Sequence, residues 1–147
     1  MAIKKRNIDE ESLLRDFGVW LKYDLVGGAE NAFCLAVQNP YTRDLIITEV
    51  IFRNTTGGGT ASAVVDIDVV ANATSTGDDI FDGIDIASST TGMYSSNNAT
   101  DNGTNGEGRP QVWNAAGGTN DYLTGKILAA AGSNLVGKVY VHVIEAQ

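Results

Sequence analysis

The sequence predicts a single all-β domain, an antiparallel β-sandwich or jelly roll, entered through a short N-terminal helix and arm. Three observations predict it. Seventeen glycines stand against two prolines among many Ser, Thr and Asn residues, a composition of tight turns between short extended segments. Beyond Gly18 the apolar residues alternate, or form short runs bounded by turn residues, and no second helix is indicated. The 147 residues make one domain's worth of chain. A domain of that size buries roughly 68–70% of its unfolded surface and needs no disulfide or metal to be stable.

The helix comes first. Asn7 suits a helix cap, with Glu10 at the third helical position reaching back to the cap's own amide. Asp9, Glu10 and Glu11 fall at the positive end of the helix dipole and Arg15 at the negative end, and Gly18 is a natural stop. Leu13, Leu14 and Phe17 form its apolar stripe, and residues 1–6 have no partner in this scheme. The chain thus divides into an arm and helix over 1–17 and a sandwich over 18–147.

Strands follow over 19–25 and 33–38, with a turn at Asn39, Pro40 and Tyr41. The run 44–53 is apolar on both parities: Leu45, Ile47 and Ile51 on one, Ile46, Val50 and Phe52 on the other. Such a strand is expected to be covered on both faces or to switch layers. A flexible turn over 55–60 precedes the clearest strand, 64–71, in which Val65, Ile67, Val69 and Ala71 point one way and Asp66 and Asp68 the other. In 80–86, Ile80, Ile84 and Ile86 share a parity opposite to Phe81, with Gly83 a candidate bulge. Residues 88–108 are Ser, Thr, Asn and Gly with little to bury, so an exposed excursion is expected, with a short strand at 92–94. Strands at 110–113, 122–130 and the C-terminus complete about eight. In the last, Val139, Val141 and Val143 face inward while Lys138, Tyr140 and His142 face outward or toward a neighbour.

The net charge is −8, from 10 basic and 18 acidic residues, which argues against nucleic acid as the main partner. Lys4, Lys5, Arg6, Arg15 and Lys22 are half of the basic residues and all fall within the first 22 positions. Between Asn54 and Gly108 there is no Lys or Arg, but there are Asp66, Asp68, Asp78, Asp79, Asp82, Asp85, Asp101 and Glu107. One pole of the molecule is expected to be acidic. Lys4, Lys5 and Arg6 lead into Asn7, Ile8, Asp9, Glu10 and Glu11 rather than an apolar core, so no secretory leader is expected. No apolar stretch approaches the ~20 residues of a membrane helix, so no membrane partner is expected. The sequons at Asn54, Asn72, Asn98 and Asn102 are then effects of composition.

Catalysis needs a positioned base, nucleophile or metal, and the sequence supplies few candidates, so no enzyme and no cofactor are expected. His142 is the only histidine and Cys34 the only cysteine, which leaves no histidine or cysteine metal site. His142 reads as a sheet-surface or interface residue, and Cys34, in an apolar run, as a small buried hydrophobe. The acidic stretch offers weak cation ligands in Asp79, Asp82 and Asp85, without the spacing of a helical calcium loop. Trp20, Trp113, Tyr23, Tyr94, Tyr122 and Tyr140 are scattered and suit core or interface roles. A ligand-binding sandwich, such as a carbohydrate-binding or tail-fibre domain, is the alternative. It needs clustered aromatics on a concave surface near Trp113 and Tyr122.

From Asn39 to Ile86 the stretch NPYTRDLIITEVIFRNTTGGGTASAVVDIDVVANATSTGDDIFDGIDI, and later GTNGE and LVGKVYVHVIEA, resemble small structural proteins encoded beside the major capsid gene in many tailed phages. The resemblance covers residues 31–147 and rests on turn-and-strand patterns. It implies a capsid decoration or cement protein on the virion surface, made in the host cytoplasm, bound to the major capsid protein and clustered with itself, often as trimers. On this reading the arm docks on the shell or a neighbour through Lys4, Lys5, Arg6, Leu13, Leu14 and Phe17. Deleting 1–17 is then expected to leave a folded domain. The doubly apolar run 45–52 and Tyr140 beside His142 also exceed what one two-layer core covers, which predicts a homo-oligomer.

Overall fold

The structure is a computed structural model and describes residues 14–15, 17–58, 62–87, 90–106, 108 and 110–147. Its strands are β1 (Val19–Gly28), β2 (Phe33–Gln38), β3 (Leu45–Thr56), β4 (Val64–Val70), β5 (Phe81–Asp85), β6 (Gly92–Ser95), β7 (Gln111–Trp113), β8 (Tyr122–Leu128) and β9 (Gly132–Glu145). They form two antiparallel sheets packed face to face, as the sequence predicts. One has the order β1-β9-β3-β6, with β7 also on β3, and the other β2-β8-β4-β5.

The pairing is that of one long hairpin rolled on itself. β1 pairs with β9, β2 with β8, β3 with β6 and β7, and β4 with β5. The roll closes where β9 also meets β3 and β8 also meets β4. This connectivity is the jelly-roll form of the sandwich. β6 and β7 are two pieces of one strand: both lie along the same edge of β3, and the described residues 97–106 between them lie off the ladder.

The core fills the space between the sheets. Leu45, Val50, Phe52, Trp113, Val139, Val141 and Val143 are fully buried from one side, and Val65, Ile67, Phe81, Leu123 and Ile127 from the other. The turn between β2 and β3 is fastened by Asn39, only 4% exposed. Its Nδ2 donates to the carbonyls of Trp113 (2.8 Å), Asn114 (3.0 Å) and Arg43 (3.1 Å), and its Oδ1 accepts the Tyr41 amide.

Two bulges overturn simple parity. β3 is neither covered on both faces nor shared between layers. The ladder to β9 slips by one residue between Ile47 and Glu49, so Leu45 and Ile47 before it, and Val50 and Phe52 after it, all point inward. Ile46 and Ile51 are left on the outer face, partly exposed. In β5 the bulge falls at Gly83, whose φ of +83° suits glycine and whose amide donates to Asp66 Oδ1 (2.8 Å). Phe81 and Ile84 therefore both enter the core, although their spacing puts them on opposite parities.

The excursion after β6 is not simply exposed. The Asn102 carbonyl accepts the Asp82 amide (2.8 Å), the Asn105 amide donates to Asp82 Oδ2 (2.9 Å), and Asn102 itself is buried. This loop seals the outer edge of β5. Of the predicted N-terminal helix, only Leu14 and Arg15, both helical, and Phe17 are described, and Gly18 ends it with a φ of +78°.

Candidate interaction surface

Only two of the residues expected to dock the arm are described. Lys4, Lys5, Arg6 and Leu13 lie outside the described residues. Leu14 is 1% exposed and belongs to the core, whereas Phe17 is 69% exposed. Leu14 thus packs with the sandwich core.

The acidic candidates hold backbone instead of converging. Asp82 accepts the Asn105 amide, Asp85 accepts the Ala87 amide (2.8 Å) and the Thr90 hydroxyl (3.3 Å), and Asp79 is exposed. Among the described residues no group of three His, Cys, Asp or Glu side chains is placed to hold a metal ion. The outer face of the β2-β8-β4-β5 sheet is nevertheless acidic. Burial raises the Asp66 carboxyl, against the Gly83 amide that lowers it, and Asp82 and Asp78 raise it further. Burial likewise pushes Asp68 up to about 6, against its bond from the Val69 amide.

Cys34 is buried, its thiol donates to the Gly125 carbonyl (3.3 Å), and burial pushes its pKa up to about 12, which removes thiolate chemistry at neutral pH. Trp113 is fully buried, with Nε1 donating to the Asp121 carbonyl (2.8 Å). No sugar can stack on it, so the aromatic surface expected near Trp113 and Tyr122 does not form there.

The exposed aromatics gather elsewhere, on the outer face of the β1-β9-β3-β6 sheet. Registered rows run across it: Trp20, His142 and Glu49; then Lys22, Tyr140, Ile51 and Ser95; then Asp24, Lys138, Arg53 and Met93. Trp20 is 50% exposed and tilts against the His142 ring, centroids 5.0 Å apart. Thr48 Oγ1 and His142 Nδ1 share a hydrogen bond of 2.5 Å, which fixes the imidazole at the β3 bulge. Lys138 pairs with Asp24, and that bond is the main cause holding the Asp24 carboxyl below its usual range.

Two adjoining shallow grooves cross this face. One of about 270 Å³ is lined by Trp20, Ile51, Arg53, Met93 and Tyr140. The other, about 300 Å³, shares Arg53 and Tyr140 and adds Asp24, Thr55 and Lys138. The face is chemically suited to contact: apolar at its centre, with Lys22, Arg53 and Lys138 outnumbering Asp24 and Glu49 around it. Sequence reasoning places Tyr140 and His142 outward but does not find Trp20, Ile51 and Met93 as their neighbours, since cross-strand partners from β1, β3 and β6 are set only by the roll.

Fold and surface together define an antiparallel β-sandwich with one apolar, cationic face and one acidic face. No protein family, curated protein or solved structure matches the chain.

Proposed function

We propose that the protein is a non-enzymatic structural protein of a virion, a decoration or cement protein that binds the major capsid protein on the outside of the head and associates with itself. One observation carries the reading: the outer face of the β1-β9-β3-β6 sheet exposes Trp20 and Met93 around Tyr140 and Ile51, beside Lys22, Arg53 and Lys138. Such a surface on a rigid scaffold suits a large, partly acidic protein partner. The jelly-roll form is shared by viral capsid and lectin domains, which is an analogy of fold and leaves function to the surface. The resemblance of residues 31–147 to phage structural proteins adds to it, and the basic residues 4–6 offer a second, electrostatic contact to the shell.

The test is co-sedimentation with purified phage heads and mass spectrometry of intact particles. Wild-type protein is expected in particles and on undecorated heads, whereas Trp20→Ser with Met93→Ser lowers head binding without lowering the melting temperature. Absence from particles, or unchanged head binding by the double variant, overturns the proposal.

The Trp20–Tyr140 groove also favours a second reading, a carbohydrate- or ligand-binding sandwich, because an exposed indole beside a shallow groove can stack a sugar ring. Quenching or shift of Trp20 fluorescence by glycans, lost in Trp20→Ser, would support it over shell binding.

A further inference from the structure

β1 is ten residues long, contains no proline, and pairs only with β9, so among the described residues its second edge has no strand. The opposite flank of the sandwich is closed. There Tyr94 meets Phe52 edge-on, centroids 6.3 Å apart, and the loop around Asn102 lies along β5. The β1 flank is open by comparison. The inward residues Val19, Leu21 and Tyr23 stay partly exposed, and so does Val37 of the neighbouring β2, while the inward valines of β9 are fully covered.

A free edge of this length is a template for another strand, and proteins usually block it with lysine, proline or a bulge. Here Lys22 points outward from mid-strand, but Asp24 stands two residues on. Consider two copies of β1 running antiparallel about a twofold axis at Tyr23. Lys22 of each copy then lies opposite Asp24 of the other, and Trp20 lies opposite Val26. On the inner face Leu21 meets Leu25 and Tyr23 meets its own copy; the β1 ladder is irregular past Val26, so the pairing spans Trp20 to Val26. Trp20 and Val26, 50% and 64% exposed, are two of the six large hydrophobic side chains left exposed among the described residues. Neighbouring registers fail. An axis at Lys22 sets lysine on lysine, an axis at Asp24 sets aspartate on aspartate, and an axis between residues sets outward side chains against inward ones.

We propose that β1 joins β1 of a second copy in this register, so that the two β1-β9-β3-β6 sheets become one continuous sheet across a twofold axis. Asp24 then lies between Lys138 of its own chain and Lys22 of the other, an alternating charge row across the seam. The contact is isologous, a twofold surface distinct from the threefold clustering that the phage resemblance implies. It rests on β1 and its flank and does not depend on the capsid reading.

The full-length chain tests it. Sedimentation at micromolar concentration is expected to show a dimer. Lys22→Asp alone and Asp24→Lys alone each turn two attractive pairs into two repulsive ones and weaken association about tenfold. An equimolar mixture of the two variants restores both pairs and returns the dimer. Directly opposed antiparallel residues have Cα atoms about 4.5–5.5 Å apart, within disulfide reach, so Tyr23→Cys is expected to form a disulfide-linked dimer on oxidation. Lys22→Cys, displaced from its own copy along the strand, is not, and buried Cys34 does not interfere. A monomeric wild type, a dimer indifferent to both charge reversals, or failure of Tyr23→Cys to cross-link overturns the proposal, including the case in which residues 1–13 or a different protein occupy the edge. A wild-type dimer that fails to bind heads would overturn only the capsid reading.

Discussion

Leu14→Ala probes whether the N-terminal segment is an appendage or part of the sandwich. Leu14 is 1% exposed and packs in the core cluster, at the very start of the described chain. Truncation to alanine removes three carbons, about 0.8 kcal/mol each in lost burial, or about 2.4 kcal/mol. A cavity left behind adds to this, and measured leucine truncations span about 2–5 kcal/mol, so we expect about 3 kcal/mol. For a domain of this size each kcal/mol moves the melting temperature by about 2–4 °C, which gives a drop of about 6–12 °C. Thermal melts followed by circular dichroism measure it. By the same reasoning, deleting residues 1–17 removes Leu14 and lowers stability at least as much, contrary to the expectation that the arm is dispensable for folding. A loss under about 1 kcal/mol for Leu14→Ala would refute the core assignment and return the segment to an anchoring role.

Three further outcomes follow from the same packing. Ile67→Ala is expected to cost about 3–5 kcal/mol, because the facing residue is Gly125, which has no side chain to fill the gap; denaturant titration checks it. Ala129 holds a φ of +63° in the turn between β8 and β9, so Ala129→Gly is expected to raise stability by about 0.5–1 kcal/mol, and a destabilised variant would show that the turn tolerates alanine without strain. The folded-state pKa of Asp68 is raised, so its ionised form weakens the fold; that carboxyl's contribution is fully present below the unfolded pKa and lost as pH rises through about 6. Asp68→Asn is therefore expected to gain about 1 kcal/mol at neutral pH relative to wild type, after discounting for solvent screening, and to lose that gain toward pH 4. Melts of both proteins at several pH values decide it, and a gap that stays constant with pH would refute the assignment.

Much of the architecture was legible because local patterns and global fold agree. β2 occupies 33–38 as its apolar run and bounding turns predict, β4 occupies 64–70, and Val139, Val141 and Val143 all point inward. The strand at 92–94 within the excursion is present as β6. What the sequence hides is every feature that depends on a strand's neighbour. The slip after Ile47 is visible only as a mismatch against β9, and the rule of alternation read across it gives a strand with two apolar faces. The same holds at Gly83, where glycine signals a bulge but not which side chains it realigns. The surface was harder still. Trp20, Ile51, Met93 and Tyr140 lie on four different strands, and nothing local to any one of them marks it as a neighbour of the others.

Charge is the exception, a property spread along the chain that the topology converts into a property of faces. The rolled hairpin sends β1, β3 and β9 to one sheet and β4 and β5 to the other. Lys22, Arg53 and Lys138 are carried outward on the first, while Asp66, Asp68 and Asp82 come from the segment between Asn54 and Gly108 that holds no basic residue and lies largely on the second. A chain with a net charge of −8 thus keeps a cationic, apolar face that an anionic protein surface can approach, and its acidic face repels the same surface. The proposed capsid contact therefore sets the β1-β9-β3-β6 sheet toward the partner and the acidic sheet toward solvent. Its strength should fall as salt rises, because exposed charges are screened beyond about 8–10 Å, while the contribution of Trp20 and Met93 persists.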